Sequence, residues 1–495
     1  MSSESRTMSR FAFCVVSGAT ADRFRCATVG WVTIDMLPDN VLLEIFHFYK
    51  DDFTNFLGFT WRWKTLTQVC RRWRHVVFES PRRLDLQLVC TRTTPTSRLL
   101  DVWPHLPITV LVSSSPHPPV DKNSMENLIA ALECRDRISK IHISDIRGPV
   151  LETLATVLHE PLPILTTFSL RSTDDSVPVL PETFFGGFAP SLRTFWSTGI
   201  PFSTFPKFLL CFTNIVYLCF RAIPSSGYIL PEVMAASLAA LPHLGFFSIE
   251  FRSPPGSLHL PQSSPPHLTR ASLPSLSHLT FSGVSEYFED FVARIDTPRL
   301  TRLSITFFMD LNFDIPRLRN FIDHNESLKP FNQAAIKFSS WTIAIVFGSS
   351  TRFELKIRCG RPDRQLSSMT QIFSQQLPLL SFVEQLEVSE DLCEGSMRKD
   401  DPEMDPLQWR ELFRLFAAAQ SLHVSERLVS PVARALQDIA GQMATEVLPV
   451  LRTISLEGLQ PSGPVHEAIN SFATVRQLSH QPVVIQRWER QERRS

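Results

Sequence analysis

The sequence has no excess charge of either sign: its 495 residues carry 49 Lys and Arg against 49 Asp and Glu. The summed field offers no general attraction to phosphate backbones or anionic membranes, so neither nucleic acid nor a membrane is expected among its partners. It has no C-x-x-C pair. Nine cysteines are scattered singly, and an odd number fits free thiols in a reducing compartment, cytoplasmic or nuclear, better than a disulfide framework. It has no long unbroken apolar run. Val233 to Ile249 is uncharged between Glu232 and Glu250, but Pro242 and His243 interrupt it, which predicts a buried helix over Val233 to Leu241, a proline turn, and a strand from Leu244 to Phe251. The apolar stretch from Phe11 to Val16, behind Arg6 and Arg10, is too short for a signal peptide, and residues 1–33 are expected to be a disordered leader.

The short signatures of catalysis are missing as well. No G-x-x-x-x-G-K loop, G-x-G-x-x-G turn, G-x-S-x-G elbow or H-E-x-x-H helix occurs. His259 and His267 are eight apart with no cysteine nearby, a poor spacing for metal ligands. No catalytic site, metal or cofactor is expected. Asn325-Glu326-Ser327 fits a glycosylation sequon, but a single match in so long a chain carries no weight without a secretion signal.

What is present is an ordinary soluble composition, 43% hydrophobic and 20% charged, with two kinds of pattern. The first lies at residues 35–81. Pro38 suits a first helical turn, where its missing N–H is not needed, and Asp39 complements the positive end of a helix. Leu42, Ile45, Phe46 and Tyr49 then recur at helical spacing. A second helix is predicted by Leu66, Val69, Cys70, Trp73 and Val77, with Arg71, Arg72 and Arg74 on its other faces, stopping before Ser80-Pro81. Cys70 between arginines could be a reactive thiol, but its spacing places it on the apolar stripe as a small buried hydrophobe. So short a segment makes a marginal domain by itself and is expected to borrow core from a partner.

Leu37-Pro38, Ile45-Phe46 and Val69-Cys70-Arg71-Arg72-Trp73-Arg74 resemble the F-box family. The resemblance covers about a tenth of the chain. Asp39-Asn40 after Leu-Pro, the aromatic-rich insertion from Asp51 to Trp63, and the absence of tryptophan in Ser80-Pro81-Arg82-Arg83-Leu84 depart from the family pattern. The resemblance implies three short helices docking on a Skp-family adaptor, itself carried by a cullin in a ubiquitin ligase. It further implies that Leu37, Pro38, Ile45, Phe46, Leu66, Val69, Cys70 and Trp73 lie at or immediately beneath the adaptor contact.

The second pattern is a repeat of the form L-x-x-L-x-L. Instances are Ile138/Ile141/Ile143, Leu165/Phe168/Leu170, Ile215/Leu218/Phe220, Leu244/Phe247/Ile249, Leu276/Leu279/Phe281 and Leu300/Leu303/Ile305, with a weaker copy at Leu192 and Phe195. Starts are separated by 27, 27, 23, 29, 32 and 24 residues, the range of a unit made of one strand and one helix. The last two apolar positions are two apart and share one side of a strand. Met125 to Leu132 and Glu286 to Ile295 have the spacing of covering helices. Trp341 to Phe347 and Phe353 to Ile357 around Gly348-Ser349-Ser350 predict a hairpin inserted in the array, which resumes at Val383/Leu386/Val388, Ala419/Leu422/Val424 and Leu451/Ile454/Leu456.

The array resembles irregular leucine-rich repeats, although the asparagine that usually satisfies turn backbone groups is missing; an ordinary α/β domain with parallel strands would give similar runs. Phenylalanine, 38 residues, substitutes for leucine in many signatures and is expected in the core. Ser113 to Pro119, Ser253 to Pro266 and Met397 to Pro406 are expected loops.

The expected fold is mixed α/β: a helical F-box at 34–86, a connector or first solenoid segment at 87–137, an irregular leucine-rich-repeat-like solenoid at 138–480 with the hairpin near 341–357, and a charged tail at 481–495 with a solvated end from Arg487 to Ser495. The expected function is that of a substrate-recognition subunit of a Skp-cullin-F-box ubiquitin ligase, holding an unknown substrate protein without catalysis of its own. The alternative is an interaction scaffold whose diverged F-box recruits no ligase.

Overall fold

The structure is a computed structural model describing residues 34–51, 62–79, 86–103, 105–112, 122–172, 174, 184–201, 209, 212–252, 270–308, 315–329, 331–348, 352–359, 364–375, 377–391, 405–440, 445–460 and 462–488. The leader, nearly all of the insertion after Asp51, residues 80–84, the loops at 113–119 and 253–266, most of 397–406, and both His259 and His267 lie outside the described residues. The chain separates into two units, residues 1–87 with 104–106 and residues 88–103 with 107–495.

In the first unit, a short 3-10 turn (Ile34–Met36) precedes α1 (Asp39–Asp51), α2 (Arg62–Val69) and α3 (Arg71–Glu79). Pro38 stands just before α1 rather than inside its first turn, and its carbonyl accepts the N–H groups of Val41 and Leu42, both at 3.0 Å. The core is Leu42, Phe46, Leu66, Val76 and Val77, with Leu37, Leu43 and Trp73 packed against it. The single helix predicted from Leu66 to Val77 is two helices meeting at Cys70. The apolar stripe therefore breaks: Leu66 and Val77 point inward while Val69 is exposed.

The second unit is built on one sheet: β1 (Leu86–Val89), β2 (Ile108–Val112), β3 (Ile138–Ile146), β4 (Thr167–Ser172), β5 (Thr194–Thr198), β6 (Tyr217–Ile223), β7 (Phe246–Phe251), β9 (His278–Gly283), β11 (Arg302–Phe307), β12 (Gln333–Phe338), β13 (Thr342–Phe347), β14 (Phe353–Arg358), β15 (Gln385–Glu390), β16 (Ser421–Val424), β17 (Thr453–Glu457) and β18 (Val484–Trp488). The short β8 (Ala271–Ser272) and β10 (Ile295–Asp296) form a separate parallel pair. Along the sheet the strands follow chain order, except that the neighbours of β11 run β14, β13, β12 and then β15. Only β13 is antiparallel to its neighbours among the pairings whose register is described.

The helices of this unit are α4 (Thr96–Val102), α5 (Lys122–Leu132), α6 (Gly148–Val157), α7 (Pro231–Leu238), α8 (Ser285–Val292), α9 (Pro316–His324), α10 (Gln365–Gln375), α11 (Pro406–Arg414), α12 (Val429–Ile439) and α13 (Pro464–Leu478). Five of them, α6, α7, α9, α11 and α13, carry proline at one of the first two positions, where the fixed φ favours helix entry. Neighbouring helices pack on each other from α4 to α6, from α7 to α9 and from α10 to α13.

The repeat signature sets the register. Ile141, Phe168, Phe195, Leu218, Phe247, Leu279, Leu303 and Phe353 are successive cross-strand partners, and all are buried. Leu386, Leu422 and Ile454 continue the row on the far side of the antiparallel strands. Along β4, β5, β11, β12, β14 and β16 buried residues alternate with half-buried or exposed ones, so there one face of the sheet is core and the other is more open, while β2 and β13 are buried throughout. Each Leu or Phe enclosed this way contributes about 1.5–3 kcal/mol relative to exposure.

The uncharged stretch from Val233 to Ile249 resolves as expected into a buried helix and a strand, with Leu244 N–H donating to Leu241 O at 3.2 Å across the proline turn. Among the described residues no helix is long and apolar enough to cross a membrane.

The hairpin expected near 341–357 is present as the antiparallel pair β13 and β14, and it lies within the main sheet rather than outside it, β14 against β11 and β12 against β15. The strand that completes them, β12, begins Gln-Ala-Ala and lacks the leucine opening of the repeat, yet it buries Ala334, Ile336 and Phe338 by simple alternation. The segment at 87–137, expected as a connector or first solenoid segment, supplies β2 and two helices, and the segment expected as a charged tail starts with the exposed edge strand β18, paired parallel to β17. Asn325 of the sequon is buried and donates from Nδ2 to Phe321 O at 2.8 Å, which leaves its amide inaccessible to a glycan.

Candidate functional site: an apolar face on the N-terminal helices

The entry to α1 is fixed by Arg72 of α3. Its Nη2 donates to Asp39 Oδ1 at 2.7 Å and to Leu37 O at 2.5 Å, and its Nε donates to the same carboxylate oxygen at 3.0 Å. The Leu-Pro-Asp segment is thereby pinned to α3. Arg74 Nε donates to Thr67 O at 2.9 Å and ties α3 back to α2.

Cys70 is the residue between these two helices. Its carbonyl accepts Arg74 N–H at 3.1 Å and its Sγ accepts Trp73 N–H at 3.4 Å. A thiol here takes the position usually held by a Ser, Thr, Asp or Asn cap. Cys70 is half-buried rather than buried, so the expectation of an enclosed small hydrophobe is corrected: the sulfur is turned toward the backbone it caps.

The residues singled out from the sequence fall into three groups. Phe46 and Leu66 are inside the core, and Phe46 stacks obliquely on Trp73 with ring centroids 4.7 Å apart. Leu37, Cys70 and Trp73 are half-buried. Pro38, Ile45 and Val69 are exposed, Val69 to 56%.

Three exposed residues were not anticipated: Ile34, Met36 and Val41, Met36 to 68%. Val41 had a legible signal, because Pro38, Val41 and Ile45 are spaced at i, i+3 and i+7 beside the buried pair Leu42 and Phe46. The apolar arc of α1 is thus wider than its own core covers. Large apolar side chains concentrated on so small a unit mark a contact surface more often than a solvated one.

Among the described residues no group of three or more His, Cys, Asp and Glu side chains is placed to hold a metal ion. Arg72 and Asp39 tie α3 to the start of α1, and His75 and Glu79 pair on the surface at 2.9 Å. What the arrangement offers is an apolar surface with a fixed backbone. No family model matches the chain, and no curated protein is significantly similar to it.

Proposed function

We propose that the chain is a substrate-recognition subunit of a Skp-cullin-F-box type ubiquitin ligase, working in the cytoplasm or nucleus. The N-terminal helices hold the adaptor, and the sheet unit, a leucine-rich-repeat-like solenoid, holds the substrate protein. The observation that carries this reading is the exposed apolar set Met36, Val41, Ile45 and Val69 on a three-helix unit with a core of five buried side chains. A partner covering that set would supply the burial that the unit lacks.

The sheet supports the receptor half of the reading. Its strands follow chain order over β1 to β7 with no switch point, and along β3, β4 and β5 the side chains of one face stay half-buried or exposed. A doubly wound α/β sheet would reverse its strand order and carry helices on both faces. Catalysis belongs to other subunits in this scheme: the chain raises the effective concentration of a substrate lysine near a ubiquitin-charged enzyme.

Co-purification of the full chain with a Skp-family adaptor tests the proposal. Wild type should capture the adaptor, and Ile45→Asp with Val69→Asp, both surface changes, should abolish capture while far-UV circular dichroism stays the same. Wild type without capture, or a double variant that captures as much, would overturn it.

A further inference from the structure

The open face of the sheet carries a row of aromatic side chains that the repeat signature does not require. Tyr217, Phe246, His278 and Arg302 are successive register partners on β6, β7, β9 and β11. Tyr217 and Phe246 are stacked, with centroids 4.1 Å apart and planes 8° apart, and Phe246 and His278 continue the stack at 6.1 Å and 29°. On the other side, Trp196 of β5 lies 6.1 Å from Tyr217, and the Arg221 guanidinium sits 5.1 Å over the Trp196 ring. All four rings are half-exposed.

Because the rings stack along the row, their faces are turned toward one another and their edges toward solvent. A sugar ring or a nucleic-acid base, which would need an aromatic face, finds those faces occupied. Ring edges are the positive part of the aromatic quadrupole and favour oxygen and apolar contacts. The charges around the row point the same way. Glu250 is neutralised by Arg221 at 3.0 Å and accepts Ser248 Oγ at 3.2 Å, and Arg171 has Asp145 at 3.9 Å.

At the other end of the row, Arg302 stands beside Arg352, since their following residues Leu303 and Phe353 are register partners. Both arginines are exposed, and neither has an ion pair among the described residues. Arg352 is held in place by donating from Nη1 to Lys329 O at 2.9 Å. The row therefore runs from an aromatic platform to a pair of cations that have no ion pair among the described residues.

We propose that this face holds an extended acidic segment of a partner protein, with apolar side chains on Tyr217 and Phe246 and carboxylates on Arg302 and Arg352. From β6 to β14 there are four strand spacings, roughly 19 Å, which an extended chain covers in about six residues. The inference rests on the reading of the sheet unit as the part that holds the substrate, and it specifies what that substrate presents.

The test is fluorescence anisotropy of the full chain with a labelled peptide of roughly ten residues, phenylalanines followed by glutamates, against a counterpart with glutamine for each glutamate. The glutamate probe should bind about tenfold more tightly than the glutamine probe, and the difference should shrink with added salt. Arg302→Glu and Arg352→Glu should each weaken it about tenfold, and Phe246→Ser should weaken both probes, with circular dichroism unchanged. Equal binding of the two probes, tighter binding of a lysine counterpart, competition by single-stranded DNA, undiminished binding by the arginine variants, or no binding at all would overturn the inference. Adaptor capture depends on the N-terminal variants, so loss of peptide binding with capture intact refutes this inference alone.

Discussion

At the residue scale, Cys70 shows how a position can be chosen correctly and its role misjudged. Helical spacing placed it on a continuous stripe with Leu66 and Val77, and spacing alone cannot reveal that the helix restarts there. The structure makes it the cap of α3, with Sγ accepting Trp73 N–H at 3.4 Å. Sulfur is a weak acceptor, so Cys70→Ser should hold or raise stability, while Cys70→Ala should cost about 0.5–1 kcal/mol in urea unfolding followed by helicity. A nucleophilic role predicts no such difference in a function assay, with serine as damaging as alanine. Ala222 offers a second single-residue test. It holds φ 49° where the register between β6 and β7 shifts, a left-handed conformation that costs an L-residue about 1–2 kcal/mol. Ala222→Gly relieves that strain and adds chain entropy to the unfolded state, so a net gain of about 0.5–1 kcal/mol is expected, and any loss of thermal stability would contradict it.

At the element scale, the strands were legible because leucine and phenylalanine recur two apart on the buried side. The turns before them were not. They share a second motif that the strand signature hides: Leu162-Pro163-Ile164-Leu165, Leu241-Pro242-His243-Leu244, Leu273-Pro274-Ser275-Leu276 and Leu448-Pro449-Val450-Leu451. In each, the last N–H donates to the first carbonyl, at 3.1 to 3.2 Å. Side chains of the following unit then take up turn carbonyls: Ser191 Oγ donates to Pro163 O at 2.8 Å, Asn214 Nδ2 to Pro190 O at 2.8 Å, and Ser275 Oγ to Pro242 O at 2.7 Å. These links do the work expected of the missing repeat asparagine. A parallel set joins the strand starts, where Ser277 Oγ donates to Gly245 O at 3.0 Å and Thr301 Oγ1 to Ser277 O at 3.1 Å. Ser277→Ala should cost about 0.5–1.5 kcal/mol in thermal or denaturant unfolding, and a neutral result would mean that water replaces the hydroxyl there.

The open face of these elements also sets an acid limit. Burial, with a smaller contribution from Lys140, lowers the His142 pKa from 6.5 to about 4, and burial lowers His278 and His423 in the same direction. A histidine with a folded pKa below its unfolded value binds more protons when unfolded, so its stability is whole above pH 6.5 and lost as pH falls toward about 4. Replacing His142 with Gln should flatten the unfolding midpoint between those limits, whereas an unchanged slope would show that protonation is not felt at this position.

At the scale of the whole molecule, the two units reach stability by different routes. The sheet unit gains a neighbour at every repeat, so its buried row extends from Ile141 to Phe353 without any single strand having to stand alone. The departure of β12 to β14 from chain order escaped the sequence because an antiparallel return needs only a short turn, here Ser339 N–H to Thr342 O at 2.9 Å, and leaves no repeat behind. The N-terminal unit is not built from repeats. Its core of Leu42, Phe46, Leu66, Val76 and Val77 must offset the chain entropy of three helices while Met36, Ile45 and Val69 gain nothing from burial. A peptide of residues 34–85 should therefore show weak helicity and no cooperative thermal transition when alone, and both should appear when an equimolar Skp-family adaptor is added. A sharp, adaptor-independent melt of that peptide would show that its own side chains suffice, and the exposed apolar set would then need a different explanation from the one given by partner-assisted folding.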